Sequence, residues 1–210
     1  YSVQNMVIEY SKFLKNKLPT LLDEFNSLGV QFLELRFYNS IENDELLKIL
    51  ELFEKTKIRS IYLLMPYSDK ISLSDLLVRH QRLSRIICHN MVKEIPEKHK
   101  NNFRLVFTKD RIKNNSNCGH VDINQFCVNA NLFSDNLQVN SCLSGKLAIS
   151  ESGEIRNCPS SKAYGHIDTN KLSDVLNLNE LKKIWSINKD QIEVCKDCEF
   201  RYACTDCRIN

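Results

Sequence analysis

Cysteine is the residue whose number and spacing point most directly to chemistry in this sequence. The chain of 210 residues contains nine cysteines. The last four form two Cys-x2-Cys pairs, Cys195 with Cys198 and Cys204 with Cys207, and five residues separate the pairs. Two intervening residues let both thiolates of a pair face one metal ion or one corner of a cluster. The tail is therefore predicted to bind metal, and its spacing alone leaves iron–sulfur and zinc both open.

A second pair of cysteines stands at the feet of a predicted β-hairpin. Two alternating runs, residues 146–150 and 154–158, flank a tight polar turn that ends in Gly153. Glycine suits the positive φ that such a turn requires. We expect Cys142 and Cys158 to lie within one or two strand spacings of each other. A single four-cysteine zinc knuckle in the tail would leave this pair unexplained.

Composition excludes several classes of protein. With 42% hydrophobic and 26% charged residues the chain has ordinary globular usage, and its formal net charge is only +3. No dense block of Lys and Arg is present to follow a phosphate backbone, so we expect no nucleic-acid partner. No apolar run approaches the roughly 20 residues of a membrane span, so no membrane partner is expected. The chain opens without the marks of a signal peptide, and its cysteines are interpreted as cytoplasmic metal ligands rather than disulfides.

The elements that must position these cysteines show a β/α pattern over the first half of the chain. Strands are predicted to start near residues 3, 32, 60, 84 and 103, with amphipathic helices between them, as in a partial (β/α) barrel. We assign residues 1–112 to this barrel, 113–141 to a connecting segment rich in Asn and Ser, and 142–210 to a small cysteine-rich domain. The fold class is α/β.

Polar residues in the predicted strands have a consistent phase. Glu34 and Arg36 share the face of their strand opposite Leu33 and Leu35, and the same phase turns Glu9 and His89 toward the barrel interior. These side chains either line a functional lumen or form an internal ion pair. Cys88, within an apolar strand, is interpreted as a small buried hydrophobe.

Taken together, the cysteine pattern resembles the SPASM domain, the C-terminal module of many radical-SAM peptide-modifying enzymes. Ten residues lie between Cys142 and Gly153, and four lie between Gly153 and Cys158. The two Cys-x2-Cys pairs come later in the chain. Here the final pair is one residue shorter than in the family, and the family's seventh cysteine is absent from the chain. The resemblance implies a radical-SAM-type partial barrel followed by the SPASM domain with its β-hairpin.

In that family two auxiliary 4Fe–4S clusters are typical, so the resemblance implies one or two clusters here, with zinc as the alternative. It assigns Cys142, Cys158 and Cys207 to the first cluster and Cys195, Cys198 and Cys204 to the second. Each set then lacks a fourth ligand. Cys118 or Cys127 is expected to complete the first set, with Cys127 the nearer in sequence, and a residue beyond Asn210 the second. In the rival arrangement, Cys207 joins the other tail cysteines in one knuckle.

A narrower resemblance concerns the SPASM-domain peptide maturases of "grasp-with-spasm" systems. The segments that carry it are 32–37, 157–159, 164–167, 189–192 and 195–202. Members accompany an ATP-grasp ligase and a short precursor peptide, and they lack the Cys-x3-Cys-x2-Cys motif that holds the S-adenosylmethionine (AdoMet) cluster. Here the loop after the first strand, Ser11 to Lys17, likewise contains no cysteine.

The resemblance therefore implies a maturation protein for a ribosomally made peptide, with a precursor peptide and an ATP-grasp ligase as partners. Whether it is itself an enzyme stays open. Two alternatives remain: an active radical-SAM peptide-modifying enzyme whose cysteine motif lies outside this chain, and a zinc-ribbon adaptor.

Overall fold

Alternating apolar runs and amphipathic stretches fold into strands and helices that follow one another along the chain. The computed structural model describes residues 2–118 and 126–208. The strands in this part of the chain are β1 (Asn5–Glu9), β2 (Phe32–Arg36), β3 (Ser60–Pro66), β4 (Leu83–His89), β5 (Leu105–Phe107), β6 (Lys146–Ile149), β7 (Glu154–Arg156) and β8 (Ala163–His166). The α-helices are α1 (Lys12–Lys15), α2 (Leu18–Leu28), α3 (Asn43–Glu54), α4 (Leu73–Arg79), α5 (Glu97–Lys100), α6 (Ala130–Gln138), α7 (Leu172–Leu176) and α8 (Asn179–Trp185).

The strands form one open sheet in the order β5-β4-β3-β2-β1-β6-β7-β8. Strands β1 to β5 are parallel neighbours, which confirms the predicted β/α repeat. The predicted hairpin is formed by β6 and β7, and Gly153 in its turn has a φ of +92°. Strand β6 also pairs in parallel with β1, so the hairpin extends the same sheet. The assigned segments 1–112 and 142–210 are therefore joined by strand pairing, which the sequence did not indicate.

Local signals for helix ends agree with the structure. Helix α2 ends at Gly29, whose φ of +75° is the left-handed conformation that glycine adopts easily. Helix α4 begins at Ser72, whose hydroxyl accepts a hydrogen bond from the Asp75 amide. The apolar faces of α2 and α3 bury Phe25 and Phe53 completely against the sheet. This core holds the strands that position the cysteines.

Three elements differ from the sequence-based expectation. Helix α1 lies within the loop that follows β1, because the Ser11 hydroxyl caps a single helical turn. Helix α6 lies in the supposed connecting segment, where Asn129 caps it through its side chain. Strand β8 adds a third antiparallel strand after the hairpin. Short capped turns and edge strands carry weak periodicity, which explains why the pattern missed them.

The polar face predicted for the barrel strands is present, and its ion pair is local. Leu33 and Leu35 are buried, while Arg36 Nε lies 2.8 Å from Glu34 Oε1 on the same strand. Glu9 is outside this pair, and its carboxylate accepts a hydrogen bond from the Tyr38 hydroxyl at 2.5 Å. The structure thus favours the ion-pair interpretation for Glu34 and Arg36.

None of the helices in the described ranges combines the length and the apolar character needed to cross a bilayer.

Candidate metal centre

Four cysteines from distant segments meet beside the hairpin, and we call Cys118, Cys142, Cys158 and Cys207 the first cysteine group. The thiols of Cys142 and Cys207 are hydrogen-bonded to each other. Burial raises the pKa of the Cys118 thiol, and the charges of Cys142 and Cys158 raise it further. The Cys118 side chain also forms a hydrogen bond with Ser160. The first group therefore contains the three cysteines that the SPASM resemblance assigned to one cluster. It adds Cys118 as the fourth, in the position for which Cys127 was the nearer candidate.

A buried asparagine brings the two ends of this group together. Asn140 has no exposed surface, and its side-chain oxygen accepts a hydrogen bond from the Cys142 amide at 3.1 Å. Its side-chain nitrogen donates to the Cys207 carbonyl at 2.9 Å. One side chain thus fixes the backbone on both sides of the Cys142–Cys207 contact.

The Cys142 thiol is strongly acidified by its surroundings. The hydrogen bond from Cys207 is the largest influence, and the Lys146 ammonium, whose Nζ lies 3.4 Å from Cys142 Sγ, acts in the same direction. Together they outweigh burial and lower the pKa of Cys142 to about 5. These surroundings favour the thiolate form of Cys142, which is the form that binds metal.

Three tail cysteines form the second cysteine group, which consists of Cys195, Cys198 and Cys204. The turn that joins the first two is closed by a hydrogen bond from the Cys198 amide to the Cys195 carbonyl at 2.9 Å. Burial raises the pKa of Cys195, the Lys189 ammonium opposes this, and the charges of Cys204 and Cys198 raise it further. These electrostatic neighbours are the ones expected if the three cysteines share one centre.

Cys127 lies next to the second group along the backbone. Its amide donates to the Ala203 carbonyl at 2.8 Å, and Phe126 forms an isolated antiparallel bridge with Cys204. The Cys127 side chain is exposed. The Cys127 backbone therefore lies beside the second group, whereas Cys127 was expected to be a ligand in the first group.

Helix α6 supplies a further fixed point between the two groups. Asn136 is fully buried, and its side-chain nitrogen donates to the carbonyls of Tyr202 and Cys204 at 2.9 and 3.3 Å. Its oxygen accepts from the Ser141 amide, next to Cys142. No sequence pattern singles out Asn136 or Asn140, because both lie in the Asn-rich segment that has no clear period.

Cys207, the last of the tail cysteines, lies at the hairpin through its contact with Cys142. Among the described residues, no three His, Cys, Asp or Glu side chains are arranged to hold one metal ion.

The loop at residues 10–17, which follows β1, is held by the C-terminal half of the chain. The Ser11 hydroxyl donates to the Glu151 carbonyl in the hairpin turn at 2.6 Å. Lys17 Nζ lies 2.5 Å from Asp168 Oδ1 beyond β8, and Phe13 packs near His166. This loop contains no cysteine and docks against the hairpin.

Substituting Gly153 by alanine is expected to break this docking and lower the free energy of unfolding by about 1–3 kcal/mol. A Cβ at Gly153 would lie 2.7 Å from the Phe13 ring and 3.0 Å from His166 Nε2, in addition to the strain of its positive φ. Gly29→Ala is the matched control, since Gly29 has a similar φ and nothing within 4 Å of its Cβ position. Urea unfolding measures both. An effect at Gly153 no larger than that at Gly29 would contradict the docking.

A polar cavity of about 300 Å³ opens near the carboxyl end of β1 and the hairpin turn. Glu9, Tyr38, Glu151 and Arg156 line it, and Pro159, which follows Cys158, borders it. Burial raises the pKa of Glu151, and the negative charge of Glu9 raises it further. The cavity thus presents groups of both charge signs beside the first cysteine group.

A second cleft, of about 280 Å³, lies over the amino-terminal ends of β1, β2 and β3. Phe32 and Tyr62 line it, each 43% exposed, and Lys146 closes one side. Lys146 therefore connects this face of the sheet with Cys142.

Comparison of the sequence with protein-family profiles and with curated proteins finds no match. Two solved structures of BtrN, a radical-SAM enzyme, are similar over nearly the whole chain. BtrN in an open conformation gives a TM-score of 0.50 at 10% identity, covering 95% of this chain and 93% of that chain. BtrN in complex with AdoMet and 2-DOIA gives 0.53 at 11% identity, covering 95% and 94%. The chain has a radical-SAM-like fold.

Proposed function

We propose that this chain is a maturation protein for a ribosomally made peptide, and that it holds two 4Fe–4S clusters on a radical-SAM-like fold. The cluster part of this proposal is supported by the contact between Cys142 and Cys207, which lie far apart in sequence and are joined by the buried Asn140. The maturation role is supported by the resemblance of segments 157–159, 164–167 and 195–202 to the SPASM-domain peptide maturases.

The first cysteine group would supply four thiolates to one cluster, through Cys118, Cys142, Cys158 and Cys207. The second group would supply Cys195, Cys198 and Cys204 to the other. Bound clusters of this kind supply one-electron transfer. The protein's own contribution is to keep Cys142 deprotonated, to exclude water from the buried Cys158 and Cys204, and to fix the spacing of both groups.

The peptide-binding region in this proposal is the polar cavity at the carboxyl end of β1. Parallel α/β folds bind ligands at the carboxyl ends of their strands. Glu9 and Glu151 favour a cationic or hydrogen-bond-donating group of the peptide, whereas Arg156 is held by Glu154 and by the Pro159 carbonyl. Because Pro159 borders the cavity, a bound peptide residue would lie next to Cys158 and the first cluster.

We expect that the reduced protein does not cleave AdoMet. Three thiolates must hold a cluster with one open iron for that chemistry, whereas the loop at 10–17 has none and is docked on the hairpin. The anaerobic, reduced chain is incubated with AdoMet, and 5'-deoxyadenosine and methionine are quantified by chromatography. Formation of 5'-deoxyadenosine in excess over protein would contradict the expectation and support the active radical-SAM alternative.

The function itself is tested by co-expression with an ATP-grasp ligase and the short precursor peptide that accompany members of the grasp-with-spasm systems. Mass spectrometry of the peptide is compared with and without this chain, and with a Cys142→Ser variant as control. We expect a mass change that requires the intact chain. An identical product in its absence would refute a role in maturation.

A further inference from the structure

A lysine lies beside each of the two cysteine groups, and within residues 2–118 and 126–208 neither lysine forms a salt bridge with a carboxylate. Lys189 has no exposed surface, and its ammonium donates to the Cys204 carbonyl. The adjacent carboxylate, Asp190, binds Arg201 and the Tyr202 hydroxyl instead. A fully buried ammonium is rare in proteins unless an anion or several acceptors surround it.

Lys146 stands in the same relation to the first group. Its Nζ donates a hydrogen bond to Cys142 Sγ at 3.4 Å, and the charge of Cys158 also favours the protonated form of Lys146 by raising its pKa. The nearby carboxylate of Glu34 is already bound by Arg36 at 2.8 Å. The Glu34 charge also acts on Lys146, while the ammonium itself contacts the Cys142 sulfur.

Lys189 stands at the second group through geometry, because its buried ammonium donates to the carbonyl of Cys204, a member of that group. Burial and the charges of Cys204 and Cys198 raise the pKa of Cys195, and the charges of Lys189 and Arg208 oppose that rise. A cation held beside several sulfur ligands offsets the negative charge of the ligand set. The same cation favours the more negative, reduced state of any cluster bound there.

We propose that Lys146 and Lys189 are the counter-cations of the first and second cysteine groups, each raising the reduction potential of the cluster in its own group. This inference rests on the proposed function, because it requires the clusters to be bound. Both lysines act through the cysteine ligands and are positioning residues.

The experiment is an EPR-monitored redox titration of the anaerobic full-length chain with dithionite as the electron donor. The variants are Lys146→Met, Lys146→Arg, Lys189→Met and Lys189→Gln, the last of which keeps a donor for the Cys204 carbonyl. Lys183→Gln is the control, because Lys183 is an exposed lysine of α8 in the same part of the chain. Iron release to a chelator is followed in parallel.

We expect Lys146→Met to make the midpoint potential of one cluster more negative and to leave the other unchanged, with Lys146→Arg close to wild type. The Lys189 variants should shift the other cluster. Iron release from the affected cluster should be about tenfold faster in the Met variants. Unchanged potentials in iron-loaded Lys146→Met and Lys189→Gln, or an equal shift in Lys183→Gln, would overturn the inference alone. A wild-type chain without iron would overturn the proposed function as well.

Discussion

Replacing Cys142 by serine is expected to remove about half of the iron bound by the chain, namely the cluster of the first group. In that group, Cys142 has a thiol pKa that is lowered to about 5, and it contacts Cys207 directly. The serine hydroxyl is not ionised at neutral pH, so both the ligand and the partner of Lys146 are lost. Iron and sulfide analysis of the anaerobically purified variant, with EPR of the reduced protein, measures the loss.

Cys88→Ala is the matched control for this substitution. Cys88 is fully buried in β4, and burial raises the pKa of its thiol to about 12, so it is a neutral core side chain. We expect this variant to keep the full iron content. Equal iron in Cys142→Ser and wild type would remove Cys142 from the ligand set, and equal losses in both variants would indicate general destabilisation.

Replacing Trp185 by alanine is expected to lower the free energy of unfolding by about 3–5 kcal/mol. Trp185 is the last residue of helix α8, is 2% exposed, and packs in the core shared with the sheet. Its indole nitrogen also donates to the Asn157 side chain, which is fully buried and precedes Cys158. The variant should therefore lose both packing volume and support for one foot of the hairpin. Urea unfolding and iron content measure the two effects.

Trp185→Phe separates packing from the hydrogen bond. Phenylalanine keeps most of the ring but leaves the Asn157 oxygen without this donor, at a cost of about 1–3 kcal/mol. We expect it to fall between wild type and Trp185→Ala. A loss below about 1 kcal/mol in Trp185→Ala would show that α8 does not stabilise the region around Cys158.

The fold was predictable where local rules determine it. The apolar runs of the first five strands each act within a few residues, and these five predicted strands are confirmed; the helix ends at Gly29 and Ser72 are equally local. The pairing of β6 with β1 was not predictable. It joins residues 5–8 to 146–149, and nothing in either four-residue run specifies so distant a parallel neighbour.

The same division holds at the candidate site. The resemblance grouped Cys195, Cys198 and Cys204, and the turn from Cys195 to Cys198 is a local feature that the Cys-x2-Cys spacing predicts. The positions of Cys118 and Cys127 depend on the path of the chain through residues 113–141, which the pattern left unassigned. Asn136, Asn140 and Lys189 are polar side chains in polar stretches, and only the burial produced by tertiary folding distinguishes them from surface residues.

The central claim is that the two cysteine groups each bind an iron–sulfur cluster. Iron, acid-labile sulfide and zinc are therefore measured per chain on anaerobically purified wild-type protein, together with its visible spectrum. We predict about eight irons and eight sulfides per chain, and a broad absorption band at about 400 nm. About one zinc per chain without sulfide, or about four irons that survive in Cys142→Ser, would contradict the two-cluster account.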